Sequence, residues 1–558
     1  MKKSSLTFVA GLYAASLSFA FADGAAATVS GDPAGPHVGK VFYILLENRN
    51  FTAGDDTTGG SVILGNPAAP YLNSLITPGN KNAAQVSYCT AYHHVLAQPT
   101  GAVHGRGATS VHPSEPNYLW FEGGTNYGVL NDNDPYGSNR QVKVVADYVA
   151  ANPSVTGQHI TGLLQAAGIS WHSYQEDVDL TNTAGGNGNL GGKLTNKVLP
   201  ESSWTVPLAS FSGHNPGYAN PYNGKDRWSY GCKHAGSLFF TDTNGSTIEK
   251  ANLSPSNPFA TKYRPLERLA ADLESDKVAR FNVITPELYN DMHNAFADGF
   301  TYHGVHYTGD LCQVALGDSF LSKIVPMIMA SKAYKENGVI VLWTDETEGS
   351  NQNDFRHTMV EYVISPLAKG NAYASTLNYT HSSDLNTLQK IFRVPAETPT
   401  GFINDAANPS VSSGDLAGTA PGFGTGTAYD LSDLFVPGVI PATIPAPARQ
   451  STVAIQAGDF VADPKTHTVS QTVTLVNNTR AAITVPVYLA VDSLSANTAL
   501  IGGKGKTATY APHHSAYVDV SPTGLAAGAT AKVTLTFAAP ESGAIVDSLR
   551  VIATAGVP

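Results

Sequence analysis

Four continuous apolar runs limit what this chain can become: VFYILL (Val41–Leu46), FNVIT (Phe281–Thr285), GVIVLW (Gly338–Trp343) and YVIS (Tyr362–Ser365). A strand with one wet face alternates apolar and polar residues, whereas an unbroken run suits a strand buried on both faces, as in parallel sheets. Helix-like segments fall between the runs. ITGLLQAAG precedes ISWHSY, and DSFLSKIVPMIMASKAY precedes GVIVLW. That alternation predicts an α/β fold, a mostly parallel sheet flanked by helices.

The periodicity changes after LFVPGVIPATIPAPARQ (Leu434–Gln450), whose spaced prolines suit a stiff linker at 437–449. Beyond it, TVAIQAGDF, TVSQTVTLVNN, ITVPVYLAV and AKVTLTFAA alternate apolar and polar residues between turn formers, and DSLRVIATAG ends the series. This pattern predicts a C-terminal β-sandwich domain over 450–558, read as an accessory module. Two folded parts also agree with a length of 558 residues, more than one core usually supports. At the other end, Lys2 and Lys3, the apolar run to Phe19 and the small-x-small Ala20–Ala22 predict a signal peptide over 1–22. The expectation is an exported protein, secreted or periplasmic, with no integral membrane association. The net charge of −11 is spread along the chain, which disfavours a nucleic-acid partner. Three cysteines allow at most one disulfide.

The larger part, 23–436, carries its polar chemistry where the apolar runs stop. VFYILL ends in Glu47-Asn48, GVIVLW leads to Asp345-Glu346, and FNVIT leads through PELYN to Asp291-Met292-His293. Ligands of open α/β sheets bind beyond the carboxyl ends of the strands. Acids gathered there repel one another unless protonated or neutralised. An oxygen-rich set with one amide suits a hard divalent cation. Singly, each acid reads more readily as a helix cap or a solvated loop residue than as a ligand, and it is the set at three strand ends that points to a metal. A serine stands in HPSEPNY (His112–Tyr118). Ser114 before Glu-Pro reads as a helix N-cap, or as a nucleophile held at a helix N-terminus whose N–H groups face a phosphate. A cation held by Glu47, Asn48, Asp345 and Glu346 would lower the pKa of its hydroxyl.

Taken in order, these segments resemble the secreted bacterial phosphoesterases that include acid phosphatases and phospholipases C, distant members of the alkaline phosphatase superfamily. YILLENRNF, HPSEPNY, SGHNPGY, FNVITPELYNDMHN, VIVLWTDETEG and EYVISPLAKG follow the order of that family's motifs from about Lys40 to Phe392. SGHNPGY is placed against a Lys-His-Asn-Pro-Phe segment. The resemblance implies a metal set of Glu47, Asn48, Ser114, Asp345 and Glu346, with Ser114 as nucleophile through a phosphoserine. It implies His214 and His293 as phosphoryl contacts or leaving-group acids, with His112 a weaker phosphate contact. One ion is favoured. Asp291, His293 and His381 lie where two-metal relatives keep a second. Glu346 stands where some relatives have Asp or Gly, and the stretch before the serine, with His93, His94 and His104, is long for the smaller relatives.

The reading is a metal-dependent phosphoric ester hydrolase whose partner is a phosphoester substrate, either a small molecule or a phospholipid. Acid phosphatase action on phosphomonoesters is preferred, because no basic or aromatic-rich surface stretch stands out. Phospholipase C is the alternative, because such enzymes often carry C-terminal β modules. A non-enzymatic binding protein on a degenerate scaffold is disfavoured by the retained acids, serine and histidines.

Overall fold

The computed structural model describes residues 37–53, 62–95, 111–137, 140–182, 193–348, 357–407, 429–444, 449–450, 453–477, 482–495, 497–507, 515–540, 545, 547–554 and 558. The expected signal peptide and His104 lie outside these residues.

Eight strands form the central sheet: β1 (Val41–Leu46), β2 (Val86–Tyr92), β3 (Trp171–Gln175), β4 (Tyr263–Pro265), β5 (Phe281–Thr285), β6 (Val339–Thr344), β7 (Glu361–Ile364) and β8 (Tyr373–Tyr379). Their order is β8-β2-β7-β6-β1-β5-β3-β4. Strands β6, β1, β5, β3 and β4 run parallel. YVIS, expected as one more buried strand, pairs antiparallel with β6 and with β2. All six residues of β1 and of β6 are buried, which is why neither sequence alternates.

Helices cover both faces, among them α1 (Ser114–Gly123), α2 (Ile160–Ala166), α3 (Gly309–Ala330) and α4 (His381–Phe392). One large cluster packs Tyr43, Leu45, Trp343 and Val363 against α1 and α4. A second packs Phe42, Ile44, Ile340 and Leu342 against α3. Helix α3 is long and apolar enough to cross a membrane, which corrects the expectation that no stretch beyond the N-terminal run is. Two-thirds (67%) of its most apolar window is buried in the fold, so it acts here as a core helix. Val439 and Ile440, expected in the linker, are buried in the first of these clusters. The chain is therefore still packed where its prolines begin. Cys89, Cys232 and Cys312 are buried and free, so no disulfide forms among them.

The C-terminal strands form two antiparallel sheets. One contains Val453–Asp463, Thr468–Asn477 and Thr530–Ala538, and the other contains Val487–Leu494, Ala516–Ser521 and Asp547–Ala553. Val473, Leu475, Leu489, Leu535 and Phe537 form their shared core, and the arrangement is a β-sandwich.

Candidate active site

Strands β1 and β6 are in register, with Leu46 opposite Thr344, so Glu47 and Asp345 leave the sheet side by side. The backbone then binds the two exits together. Asp345 N donates to Leu46 O (3.3 Å), Asn48 N donates to the Asp345 carboxylate (3.0 Å), and Glu47 N donates to Asp291 O (2.8 Å). Asn48 makes this turn with φ of 42°, in the left-handed region that Asn tolerates better than most residues. The buried Arg49 guanidinium bonds Met292 O (2.9 Å) and Gln313 (2.5 Å) and pairs with Glu348. It thereby ties the exit of β1 to the Asp291–His293 segment.

Ser114 is the first residue of α1, with Pro113 at the cap position, so the serine is not itself the cap. The helix is buried along its whole length and ends at Gly124, whose φ of 64° closes the last turn. Ser114 Oγ donates to Glu47 Oε2 (3.1 Å) and lies 3.4 Å from Glu346 Oε1. Tyr118, one turn on, donates to Glu47 Oε1 (3.3 Å), and Asn117 donates to Glu346 Oε2 (3.2 Å). Two of the first helical amides cannot serve in the phosphate cradle that the sequence suggested. Glu115 N is taken by Asp132 (3.0 Å), and Pro116 has no N–H.

Positive charge comes from side chains instead. His234 lies 2.7 Å from Glu47 Oε1 and 3.3 Å from Asp291 Oδ2, and its ring stacks on Tyr118 at 4.8 Å. Burial opposes its protonation, but the Glu47 and Asp291 carboxylates outweigh that and raise it to about 9. Its neighbour Lys233 pairs with Asp132 at 2.8 Å. Burial raises Glu47, yet the charge and hydrogen bond of His234 prevail and hold it far below the usual carboxylate range. His293 stands 3.9 Å from Glu47 Oε2 with a third of its side chain exposed (32%), on the open side. His112 pairs with Glu346 at 2.7 Å.

His214 is not brought to this site. It ends the exposed hairpin strand Phe211–His214, whose alternation turns it to solvent, and Asn215-Pro216-Gly217 after it form a turn. The sequence motif was a turn motif, and CKHAGSLFF (Cys232–Phe240) supplies the Lys-His pair in its place. Nor do Asp291, His293 and His381 form a second cation site. Asp291 faces His234, while His381 is buried with Nε2 on Asp345 O (2.6 Å) and Nδ1 on Tyr92 OH (2.8 Å). Burial holds His381 at about 3, a neutral ring that fixes the Asp345 backbone. His94 and His112 do lie with Glu346 within 4.8 Å of one another. However, His94 bonds Val111 O (2.7 Å) and Thr347 (3.1 Å), and burial keeps it neutral. His93 bonds Asn378 at 3.0 Å.

By donor type the oxygen set suits a divalent cation, although Glu47, Asp345 and Glu346 stand wider than a 4.8 Å spacing of three ligand atoms. Asn48 Oδ1 and Asp345 Oδ2 are buried and lack a hydrogen-bond partner among the described residues. Burial, then the charges of Glu47 and Glu346, push Asp345 well above the carboxylate range. Glu346 is raised by burial against the pull of His112. Glu47, Asn48, Asp345, Glu346 and Ser114 would hold the ion, which would supply positive charge to a phosphoryl oxygen and acidify the serine hydroxyl. Without the ion, Asp345 and His234 both hold protons in the fold that the unfolded chain releases. Above about pH 6.5, where the neutral His94 and His381 no longer act the other way, stability of the metal-free protein should therefore fall as pH rises to about 9. The depressed Glu47 opposes this only below its unfolded pKa, near pH 4.5. Thermal melts of chelated protein across that range check the sign, and a rising Tm would contradict it.

His234→Gln should lower kcat roughly 10²-fold, by removing a fixed charge beside the reacting group. Its metal content should stay near normal, which elemental analysis would read.

A Phosphoesterase family model matches residues 89–395, more than half of the chain. The match contains Ser114, His234, His293, Asp345 and Glu346 but begins after Glu47 and Asn48, which the fold delivers from β1. No curated protein matches the sequence significantly. Among solved structures, an alkaline phosphatase superfamily protein from Vibrio parahaemolyticus is similar at 11% identity, with 79% of this chain and 78% of that one covered and a TM-score of 0.32. A Bacteroides thetaiotaomicron protein described with a glycosaminoglycan-metabolising locus is similar at 10% identity, with 68% and 82% covered and a TM-score of 0.34. At scores this low, neither likeness bears on the site. A buried serine among four acid and amide side chains, within a sequence match over more than half of the chain, is the ground for the assignment: this ester hydrolase belongs to the Phosphoesterase family.

Proposed function

We propose that the protein is an exported, metal-dependent acid phosphatase that hydrolyses phosphomonoesters through a phosphoserine at Ser114. The observation that carries the proposal is the contact of Ser114 Oγ, at a helix start, with Glu47 (3.1 Å) and Glu346 (3.4 Å). Oγ forms a bond to phosphorus as the bond to the leaving oxygen breaks, and its proton passes to Glu346, the facing carboxylate that burial raises. His234, charged at neutral pH and fixed by Asp291, stabilises the negative phosphoryl oxygens. His293, on the open side, gives the leaving oxygen its proton and then takes one from the water that cleaves the phosphoserine.

Phospholipase C activity is the second reading. Phe460 (36% exposed) and Val461 (62%) are adjacent exposed apolar residues on a sandwich strand, a feature of a lipid-facing surface. A panel comparing an aryl phosphate with phosphatidylcholine, with and without chelator, tests both. Faster lipid hydrolysis would replace the phosphatase reading, and full activity after exhaustive chelation would end the metal-dependent one.

We also propose that the sandwich over 450–558 is accessory. Truncation near Ala448 should leave aryl phosphate hydrolysis within about two-fold, because every residue of the site precedes it. A collapse of that rate in a truncated protein that still melts cooperatively would show that the sandwich shapes the site.

A further inference from the structure

Strand β2 ends at Tyr92 and helix α1 begins at Ser114, and the chain is closed on itself between them. Val111 N donates to Val95 O (3.0 Å), and Val95, Val111 and Trp120 form a small core of their own. That closure sets His94 against His112, one residue outside each valine, with ring centroids 4.5 Å apart and planes at 89°. Glu346, two residues beyond β6, reaches the pair from the edge of the sheet. One nitrogen of each ring and one Glu346 oxygen lie within 4.8 Å of one another. Among the described residues no other group of three histidine, cysteine, aspartate or glutamate side chains does so.

The Glu346 carboxylate faces two ways. Its Oε1 lies 3.4 Å from Ser114 Oγ, whereas Oε2 lies 2.7 Å from His112 Nδ1 and accepts from Asn117 (3.2 Å). The second oxygen therefore belongs with the histidines. The bonds of His94 leave it able to ligate. Its Nε2 stands 2.7 Å from Val111 O and 3.2 Å from Asn117 Oδ1, and both are acceptors. Nε2 thus carries the hydrogen, and Nδ1 of the neutral ring carries the lone pair. Metal-ligating histidines are oriented in this way, one nitrogen donating to a carbonyl while the other takes the ion. The Thr347 hydroxyl at Nδ1 (3.1 Å) rotates to suit its partner.

The geometry points to a zinc site at His94, His112 and Glu346, separate from the oxygen set of Glu47, Asn48 and Asp345 and joined to it by the Glu346 carboxylate. Two imidazoles with one carboxylate suit zinc, whereas an all-oxygen set suits a hard cation. Three protein ligands leave the fourth tetrahedral position to water. The ion ties the exit of β2 and the approach to α1 to the exit of β6, and so fixes the Glu346 oxygen that faces Ser114. The inference does not rest on the phosphatase reading, because zinc binding is measured with no phosphoester present.

The test uses the whole protein, stripped with EDTA, given excess magnesium chloride to fill the oxygen set, and titrated with zinc chloride or cobalt chloride at pH 7.5. Elemental analysis counts bound metal, and the visible spectrum reports on cobalt, which absorbs far more strongly when four-coordinate than when six-coordinate. At least one zinc per chain should bind beside magnesium, and cobalt should show the intense four-coordinate bands. Both should survive Asp345→Asn, which damages the oxygen set, whereas His112→Gln should weaken zinc at least about tenfold. Replacing the buried His94 can unfold the chain, so X-ray absorption of the zinc-loaded parent supplies the second reading. It should show two imidazoles in the zinc shell. Zinc held as tightly by His112→Gln as by the parent, lost entirely from Asp345→Asn, or surrounded by oxygens alone would overturn the proposal. So would a parent that takes up no zinc beside magnesium, since His112 and Glu346 would then form an ion pair only.

Discussion

Ser114→Ala should lower kcat on a soluble aryl phosphate by roughly 10³- to 10⁵-fold. The fold should survive, with Tm within a few degrees of the parent. The hydroxyl bonds only acids, and alanine is well tolerated in the first turn of a helix. The other hydroxyl at Glu47 is Tyr118, but burial raises its pKa far above the usual phenol and its ring is stacked on His234. It is a poor replacement. Steady-state kinetics with a thermal melt on the same sample checks both halves. Near-parental turnover would remove Ser114 from the chemistry.

Asp345→Asn should lower metal content and kcat together, the latter by about 10²- to 10⁴-fold. The same substitution should have the opposite effect on the metal-free fold. Asp345 is fully buried beside Glu47 and Glu346, and its Oδ2 lacks a partner, so the amide removes the cost of protonating that carboxyl, which the metal-free fold otherwise bears above its unfolded pKa. Chelated Asp345→Asn should therefore melt higher than chelated parent above pH 7, and the parent should melt higher once metal returns. Elemental analysis, kinetics and melts at pH 8 read all three effects. A variant less stable than the parent in both states would mean that Asp345 is held by hydrogen bonds alone.

The sheet was legible because burial on both faces writes itself into VFYILL and GVIVLW as unbroken apolar runs. The acids that follow them were legible for the same reason, since a strand end fixes where the next side chain emerges. Direction was not: YVIS is as apolar as its neighbours, yet it runs antiparallel, and nothing in its residues encodes that. Helix α3 was legible as a helix packed on the sheet because its apolar run directly precedes a buried strand, but its spanning length was not, because its apolar window extends beyond that run. His214 misled because Asn-Pro-Gly after a histidine is strong turn chemistry, and the turn carries the side chain out to solvent. His234 was missed because its partners, Glu47, Asp291 and Tyr118, come from three distant segments, and only packing joins them. His381 was placed near the site correctly in space, at Asp345, but in a role that sequence could not show: both ring nitrogens are used to hold backbone and tyrosine.

The most direct measurement is an acid quench during turnover of a labelled phosphomonoester, followed by mapping of the phosphopeptide. The mechanism proposed here predicts one covalent phosphate, on the peptide that contains His112 to Asn117, at Ser114 and absent from Ser114→Ala. It also predicts net retention of configuration at phosphorus, because two in-line displacements occur. Phosphate on a histidine peptide, or no covalent phosphate together with inversion, would contradict it.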